Sequence, residues 1–160
     1  MKKIMESLCT VQDSIQVSEV ELVYKTKIKA SERLQVSTSK EVYELLKRYW
    51  DENKIEFVEQ FKILLLNRAN KVLGIYEIST GGLVGTVADP KLIFIAALKV
   101  AASHIILAHN HPSGNLKPSI QDKQLTQKIK DGGKLLEIVV MDHLIISKDG
   151  YYSFADEGWM

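Results

Sequence analysis

The chain has 160 residues, 46% of them hydrophobic, which is enough for one globular domain with a real core. Its 21 Lys+Arg against 20 Asp+Glu leave a formal net charge of +1, so no global field draws it to nucleic acid, anionic lipid or an acidic partner. A single cysteine, Cys9, excludes an intramolecular disulfide and a thiolate-rich zinc site, and suits a reducing cytoplasm.

Lys2 and Lys3 are followed by no apolar run, because Glu6, Gln12 and Asp13 interrupt it, so a secretion signal is not expected. The apolar stretches Ile63 to Leu66 and Ile105 to Ala108 fall far short of the about 20 residues needed to cross a bilayer. Residues 1–16 show no periodic pattern and read as an N-terminal arm before a domain over 17–160. Val20, Leu22 and Tyr24 alternate with Glu19, Glu21 and Lys25, predicting a half-buried strand. Thr38-Ser39-Lys40-Glu41 is a capping box, and Val42, Leu45, Leu46 and Tyr49 continue it at helical spacing, with Trp50 widening the apolar face. Phe61, Ile63 and Leu65 on one face and Leu64 and Leu66 on the other predict a central strand, apolar on both sides. Asn67-Arg68-Ala69-Asn70 should turn it into a second strand over Val72 to Ile78, and Gly81, Gly82 and Gly85 mark a loop.

Asp89-Pro90 starts a helix, with Asp as N-cap and Pro at the first helical position. The helix from Leu92 to about Ala102 is apolar nearly all round, which predicts burial. After it come a strand at Ile105 to Ala108, a polar loop, and a helix from about Ser119 to Lys130 that Gly132-Gly133 should stop. Ile138 to Val140 and Leu144 to Ile146 suggest two closing strands. Strands and helices intermingle without a regular repeat, so the expected fold is α/β, a mixed sheet flanked by helices.

The chemistry concentrates in His109-Asn110-His111-Pro112-Ser113-Gly114 and its continuation to Ser119-Ile120-Gln121-Asp122. Two histidines two apart at a strand end lie on one side, with Cα atoms about 6.6 Å apart, so both imidazoles can reach one ion. Pro112 and Gly114 turn the chain back, Ser119 caps the next helix, and Asp122 offers a third, anionic ligand on its first turn. Two His and one carboxylate leave a fourth zinc position open to water, as in catalytic rather than structural sites. Each residue alone has a plainer explanation, Asp122 as a first-turn acid and Ser119 as an ordinary cap. The combination favours a metal.

His-x-His, seven residues, Ser, two residues, Asp is the motif of the JAMM (MPN/JAB) metalloproteases, which His109, His111, Ser119 and Asp122 match position for position. Together with Pro112-Ser113-Gly114, Pro118-Ser119 and Asp142-His143, the string resembles the RadC family of bacterial JAB-domain proteins, from about Glu59 to Ile146. The resemblance implies a cytidine-deaminase-like fold around one Zn2+ and a peptidase or isopeptidase acting on a protein or peptide. It also implies an upstream glutamate as general acid/base, for which Glu77 is the matching candidate ahead of Glu59 and Glu137, and Ser119 as oxyanion donor. Two departures stand out. JAMM proteases usually carry Ser or Thr where this chain has Asn110, and the residues before the match read as strand plus helix rather than the helix-hairpin-helix region of longer RadC proteins.

Asp142-His143 could orient a ligand histidine or touch substrate, or form a turn between the closing strands with His143 packed and hydrogen-bonded. His104 reads as a partly buried structural residue. Lys117, Lys123, Lys128, Lys130 and Lys134 leave a DNA-associated accessory role as the alternative function. An HNH nuclease is disfavoured because such enzymes spread those residues over a ββα unit. A nucleoside deaminase would need a Pro-Cys-x-x-Cys element.

Overall fold

The computed structural model describes residues 18–81 and 88–160. The expected arm lies outside them, as do Gly82 and Gly85. Five strands, β1 (Gln60–Leu66), β2 (Val72–Thr80), β3 (His104–Asn110), β4 (Val139–Ile146) and β5 (Tyr151–Ser153), form one sheet in the order β2-β1-β3-β4-β5. β3 and β4 are parallel and every other neighbouring pair is antiparallel, giving a mixed sheet. Three α-helices among the described residues, α1 (Ser39–Arg48), α2 (Pro90–Lys99) and α3 (Ile120–Leu135), flank it. Among the described residues, no helix is long and apolar enough to cross a membrane.

Alternation along β1 divides the core in two. Phe61, Ile63 and Leu65 pack with Ile105, Leu107, and with Ile93 and Ala97 of α2 and Ile129 of α3. Leu64 and Leu66 pack on the opposite side with Ile106, Ala108, and with Val42, Leu46 and Trp50 from α1 and its end. β1 is therefore buried on both faces, as its unbroken apolar run requires. The box at α1 forms as expected, Thr38 accepting from Glu41 N–H while the Glu41 carboxylate accepts from Thr38 N–H. Asn67 Oδ1 accepts from Ala69 and Lys71 N–H in the turn before β2, and Asn70 takes a positive φ of 55°. Asp89 caps α2 by accepting from Lys91 N–H.

Four local expectations fail, each because a non-local packing partner decides. Val20 and Leu22 lie exposed in a segment without strand structure, since alternation specifies a face but not a partner. α2 ends at Lys99 and buries only Ile93 and Ala97, while Leu92, Ile95 and Leu98 face outward. Gly132 and Gly133 sit inside α3, which runs on to Leu135. A Cβ on Gly133 would stand 2.3 Å from the Ile138 carbonyl oxygen, and one on Gly132 would stand 2.9 Å from the Phe94 ring, so these glycines admit close neighbours rather than end the helix. Finally, Ile138 to Ile146 is essentially one strand, not two, with a register shift where it leaves Ile105 for Ile106. That bulge puts Asp142 on the α1 side of the sheet and His143 on the α3 side.

Candidate metal centre

β3 carries His109, 1% exposed, at its C-terminal end. His111 lies just past it, with its N–H still donating to Ile146 O of β4. A turn follows in which Gly114 N–H donates to His111 O, and Gly114 adopts φ 76°, a conformation glycine takes without strain. The chain then returns to the N-terminus of α3. There Ser119 and Asp122 form a second capping box: Asp122 N–H donates to Ser119 Oγ at 3.1 Å, and Ser119 N–H donates to Asp122 Oδ2 at 2.7 Å. The Ser119 hydroxyl also donates to Oδ2 at 2.7 Å, leaving Oδ1 for His109.

The three side chains converge. His109 Nε2 lies 3.0 Å from His111 Nε2 and 3.2 Å from Asp122 Oδ1, and His111 Nε2 is 3.7 Å from Asp122 Oδ2. One ligand atom from each of His109, His111 and Asp122 falls within 4.8 Å of the others.

Neighbouring groups settle which ring nitrogens carry protons. Thr126 Oγ1 donates to the Asp122 carbonyl at 2.6 Å, so toward His143 Nδ1, also at 2.6 Å, it must accept. His143 is therefore an Nδ1–H tautomer whose Nε2 accepts from His109 Nδ1–H at 2.8 Å. His111 Nδ1 faces only the Asn115 carbonyl oxygen, to which it must donate. Both Nε2 lone pairs thus point at each other and at a carboxylate. Such a cluster of acceptors is relieved only by a cation, a proton or a metal ion. Two imidazole nitrogens and one carboxylate oxygen make a group that could hold a metal ion, with His111 and Asp122 only partly buried.

Burial opposes ionisation of Asp122, but His109, when it carries a proton on Nε2, outweighs it by hydrogen bonding and attraction, and then the bonds from Ser119 add to this, holding the carboxyl well below its usual range. His143 is wholly enclosed between Phe154 at 4.8 Å and Phe61 at 5.6 Å between ring centroids. Burial first, and then repulsion from His109, hold it well below the ordinary 6.5, so it stays neutral and serves as an acceptor. Asp142, on the other face, accepts from His143 N–H, Ala155 N–H and the Ser153 hydroxyl. The orienting role considered for Asp142-His143 is the one this arrangement provides, and the turn reading fails.

Glu77 is not brought to this group. Its Cα pairs with Lys62 in β2–β1, and its carboxylate binds Lys62 Nζ at 2.9 Å, Gln60 Nε2 at 2.9 Å and the Thr80 hydroxyl at 2.7 Å. Lys62 lies over the Trp50 ring, so the Glu77 cluster occupies the α1 face of the sheet while His109 occupies the other. Burial opposes ionisation there too, but the Thr80 and Lys62 contacts prevail and lower its pKa. The glutamate that shares the parity of the histidine face is Glu59. Phe61 pairs with His109 across β1–β3, and Glu59 lies two residues earlier, just before β1, where continued alternation would set it opposite His111. Its carbonyl accepts from Gly81 N–H at 2.8 Å, and its half-buried carboxylate has no hydrogen-bond or ion-pair partner among the described residues. The one sequence signal for Glu59 is its odd-numbered parity with Phe61, Ile63 and Leu65. That signal becomes useful only once β1 is known to pair with β3.

The RadC-like JAB domain matches this chain over residues 36–159. The chain belongs to that family. Its relatives include UPF0758 proteins of Flavobacterium johnsoniae, 50% identical over 100 residues covering 62% of this chain and 44% of the relative, and of Chlorobaculum parvum, 38% identical over 123 residues covering 76% and 54%. A UPF0758 protein of Methanosarcina mazei is 37% identical over 126 residues, covering 79% and 54%. This chain thus spans about half the length of the relatives it matches. The matched region of this RadC-like JAB domain includes all of β1 to β5, Glu59 and the His-His-Asp group.

Proposed function

We propose that this RadC-like JAB domain is a zinc-dependent hydrolase of amide bonds, acting on a peptide or isopeptide in the cytoplasm. One observation carries the proposal: two imidazole lone pairs with tautomers set by their neighbours face one partly buried carboxylate. His109, His111 and Asp122 would hold the ion. Zinc bound by three protein ligands lowers the pKa of a water in the open position to about 7, supplying hydroxide at neutral pH.

The chain's own residues would do the rest. Glu59, with the parity of the histidine face and without a competing partner among the described residues, would take a proton from that water and return it to the leaving amine. Ser119 Oγ sits at the rim, exposed, 2.7 Å from Asp122 Oδ2. Its hydroxyl can turn from that carboxylate to a developing oxyanion, a role worth about 2.7–4 kcal/mol where such donors have been removed. His143 and Thr126 keep His109 in the ligating tautomer. Of the lysines behind the DNA-associated alternative, Lys123 lies over the Trp159 ring and Lys134 pairs with Asp131.

The test is elemental analysis of protein purified without chelator, followed by cleavage assays on a peptide and isopeptide library. One zinc per chain and chelator-sensitive cleavage are expected. Absence of stoichiometric zinc, with His109→Ala changing nothing, would remove the proposal.

A further inference from the structure

Asn110 stands between the two ligand histidines, and alternation turns its side chain to the opposite face of β3. It is 0% exposed and all its hydrogen-bonding capacity is directed at backbone. Oδ1 accepts from Gln60 N–H at 2.7 Å, while Nδ2 donates to the Ile55 carbonyl at 2.8 Å and the Val58 carbonyl at 2.9 Å. The amide orientation is not arbitrary, because an N–H needs the oxygen and two carbonyls need the NH2.

Those three partners bracket Glu59. Val58 precedes it and Gln60 follows it, and both are tied to the residue that separates His109 from His111. The segment 51–58 has turns but no helix or strand of its own; Ile55 is buried in the core, Gly81 N–H holds the Glu59 carbonyl, and the Asn110 bonds tie the segment directly to β3 between the histidines. We infer that Asn110 is a positioning residue: it fixes the Glu59 backbone relative to the histidine pair, so that base and metal ligands are held by one side chain. This rests on the reading of the site as a metal centre served by Glu59. It also gives a physical account of Asn in place of Ser or Thr. A hydroxyl has one donor and a shorter reach, so it would leave at least one of the two carbonyls without a partner.

The experiment compares the full chain with Asn110→Ser by amide exchange, zinc content and NMR of the cobalt-loaded protein. In the unmodified chain the Gln60 N–H and the Asn110 side-chain NH2 should be protected like the core strand β1. In Asn110→Ser, exchange at Gln60 should rise at least about tenfold, the order of one lost hydrogen bond. Zinc content should stay at one per chain. Cobalt-induced shifts at residues 55–60 should move while those at 105–108 stay in place, a readout that a general loss of stability does not produce. Unchanged exchange at Gln60, or cobalt shifts unchanged at 55–60, would overturn the inference. If Asn110→Ser does not fold, fast exchange of Gln60 N–H and the Asn110 NH2 in the unmodified chain would overturn it alone. Failure to bind cobalt or zinc at all would instead refute the metal reading, while the exchange arm still judges the clamp.

Discussion

His143→Phe isolates what a neutral, buried histidine contributes to a site it does not ligate. Phenylalanine keeps a ring against Phe154 and Phe61 but removes both nitrogens, so His109 Nδ1–H loses the acceptor it had at 2.8 Å. In the metal-free protein His109 has an escape. It can move its proton to Nε2 and donate to Asp122 Oδ1, 3.2 Å away, avoiding the about 1–3 kcal/mol of an unpaired buried donor. In the metal-loaded protein that escape is closed, because the same nitrogen must present its lone pair. The penalty therefore falls on binding: zinc affinity should drop about 10–100-fold, the usual scale for partners of ligating histidines, or about 1.4–2.7 kcal/mol. Competition titration against a chromophoric chelator measures it. Affinity unchanged within about twofold would refute the tautomer argument.

The same substitution has a pH signature. Native His143 is held below 6.5 by burial, whereas the unfolded chain takes up a proton near 6.5. The unfolded state then binds more protons, so metal-free stability falls as pH drops below about 6.5. His143→Phe should lose that part of the slope, visible as a shallower decline of Tm between pH 7 and 5.

Glu59→Gln should cut cleavage by about 10²–10⁴-fold while keeping zinc, whereas Glu77→Gln, on the opposite face, should leave turnover of the same peptide within about twofold. Equal losses in both would mean the face assignment is wrong. Gly133→Ala places a methyl 2.3 Å from the Ile138 carbonyl and should lower stability by about 1–3 kcal/mol or more in denaturant melts. Gly132→Ala meets only the edge of the Phe94 ring at 2.9 Å, and gains up to about 1 kcal/mol of helix propensity, so it should be much the milder of the two. Asp142 is raised above 3.8 by burial despite its bonds from Ser153, Ala155 and His143, so the native state holds its proton longer than the unfolded chain. Stability therefore falls as pH rises from 3.8 through the native value, and the charged form carries that cost at neutral pH. Asp142→Asn keeps an oxygen for both N–H donors and should gain on the unmodified chain at pH 7, the difference shrinking as pH falls toward 3.8.

Local signals in the sequence survived because their partners lie within a turn. Both capping boxes, Asp89-Pro90 and the Asn67 turn depend on groups two to four residues apart. Gly132-Gly133 read as a stop because glycine favours helix ends, whereas its cause was the approach of Ile138 and Phe94. The His109-His111-Asp122 group was legible for a similar reason: Asp122 lies only thirteen positions after His109, and a strand end, a tight turn and a capped helix bring them together. Glu59 was not, because its place depends on β1 pairing with β3 at Phe61–His109, a register no composition or spacing announces. Glu77 was the candidate the resemblance implied, but its alternation belongs to the face of Lys62 and Trp50.

The period of two that hid the glutamate also explains the triplet His109-Asn110-His111. On a strand end those letters form two faces, histidines toward α3 and an amide toward α1. The chemistry sits on one face and the means of holding Glu59 on the other. The division is stringent, since shifting β3 by one residue against β1 would turn Asn110 toward Asp122 and bury both imidazoles against Trp50 and Leu64. Selection on such a site should therefore act on β3 register as strongly as on ligand identity. The flat apolar surroundings of β3, buried from Ile105 to Asn110, are what make that register costly to change.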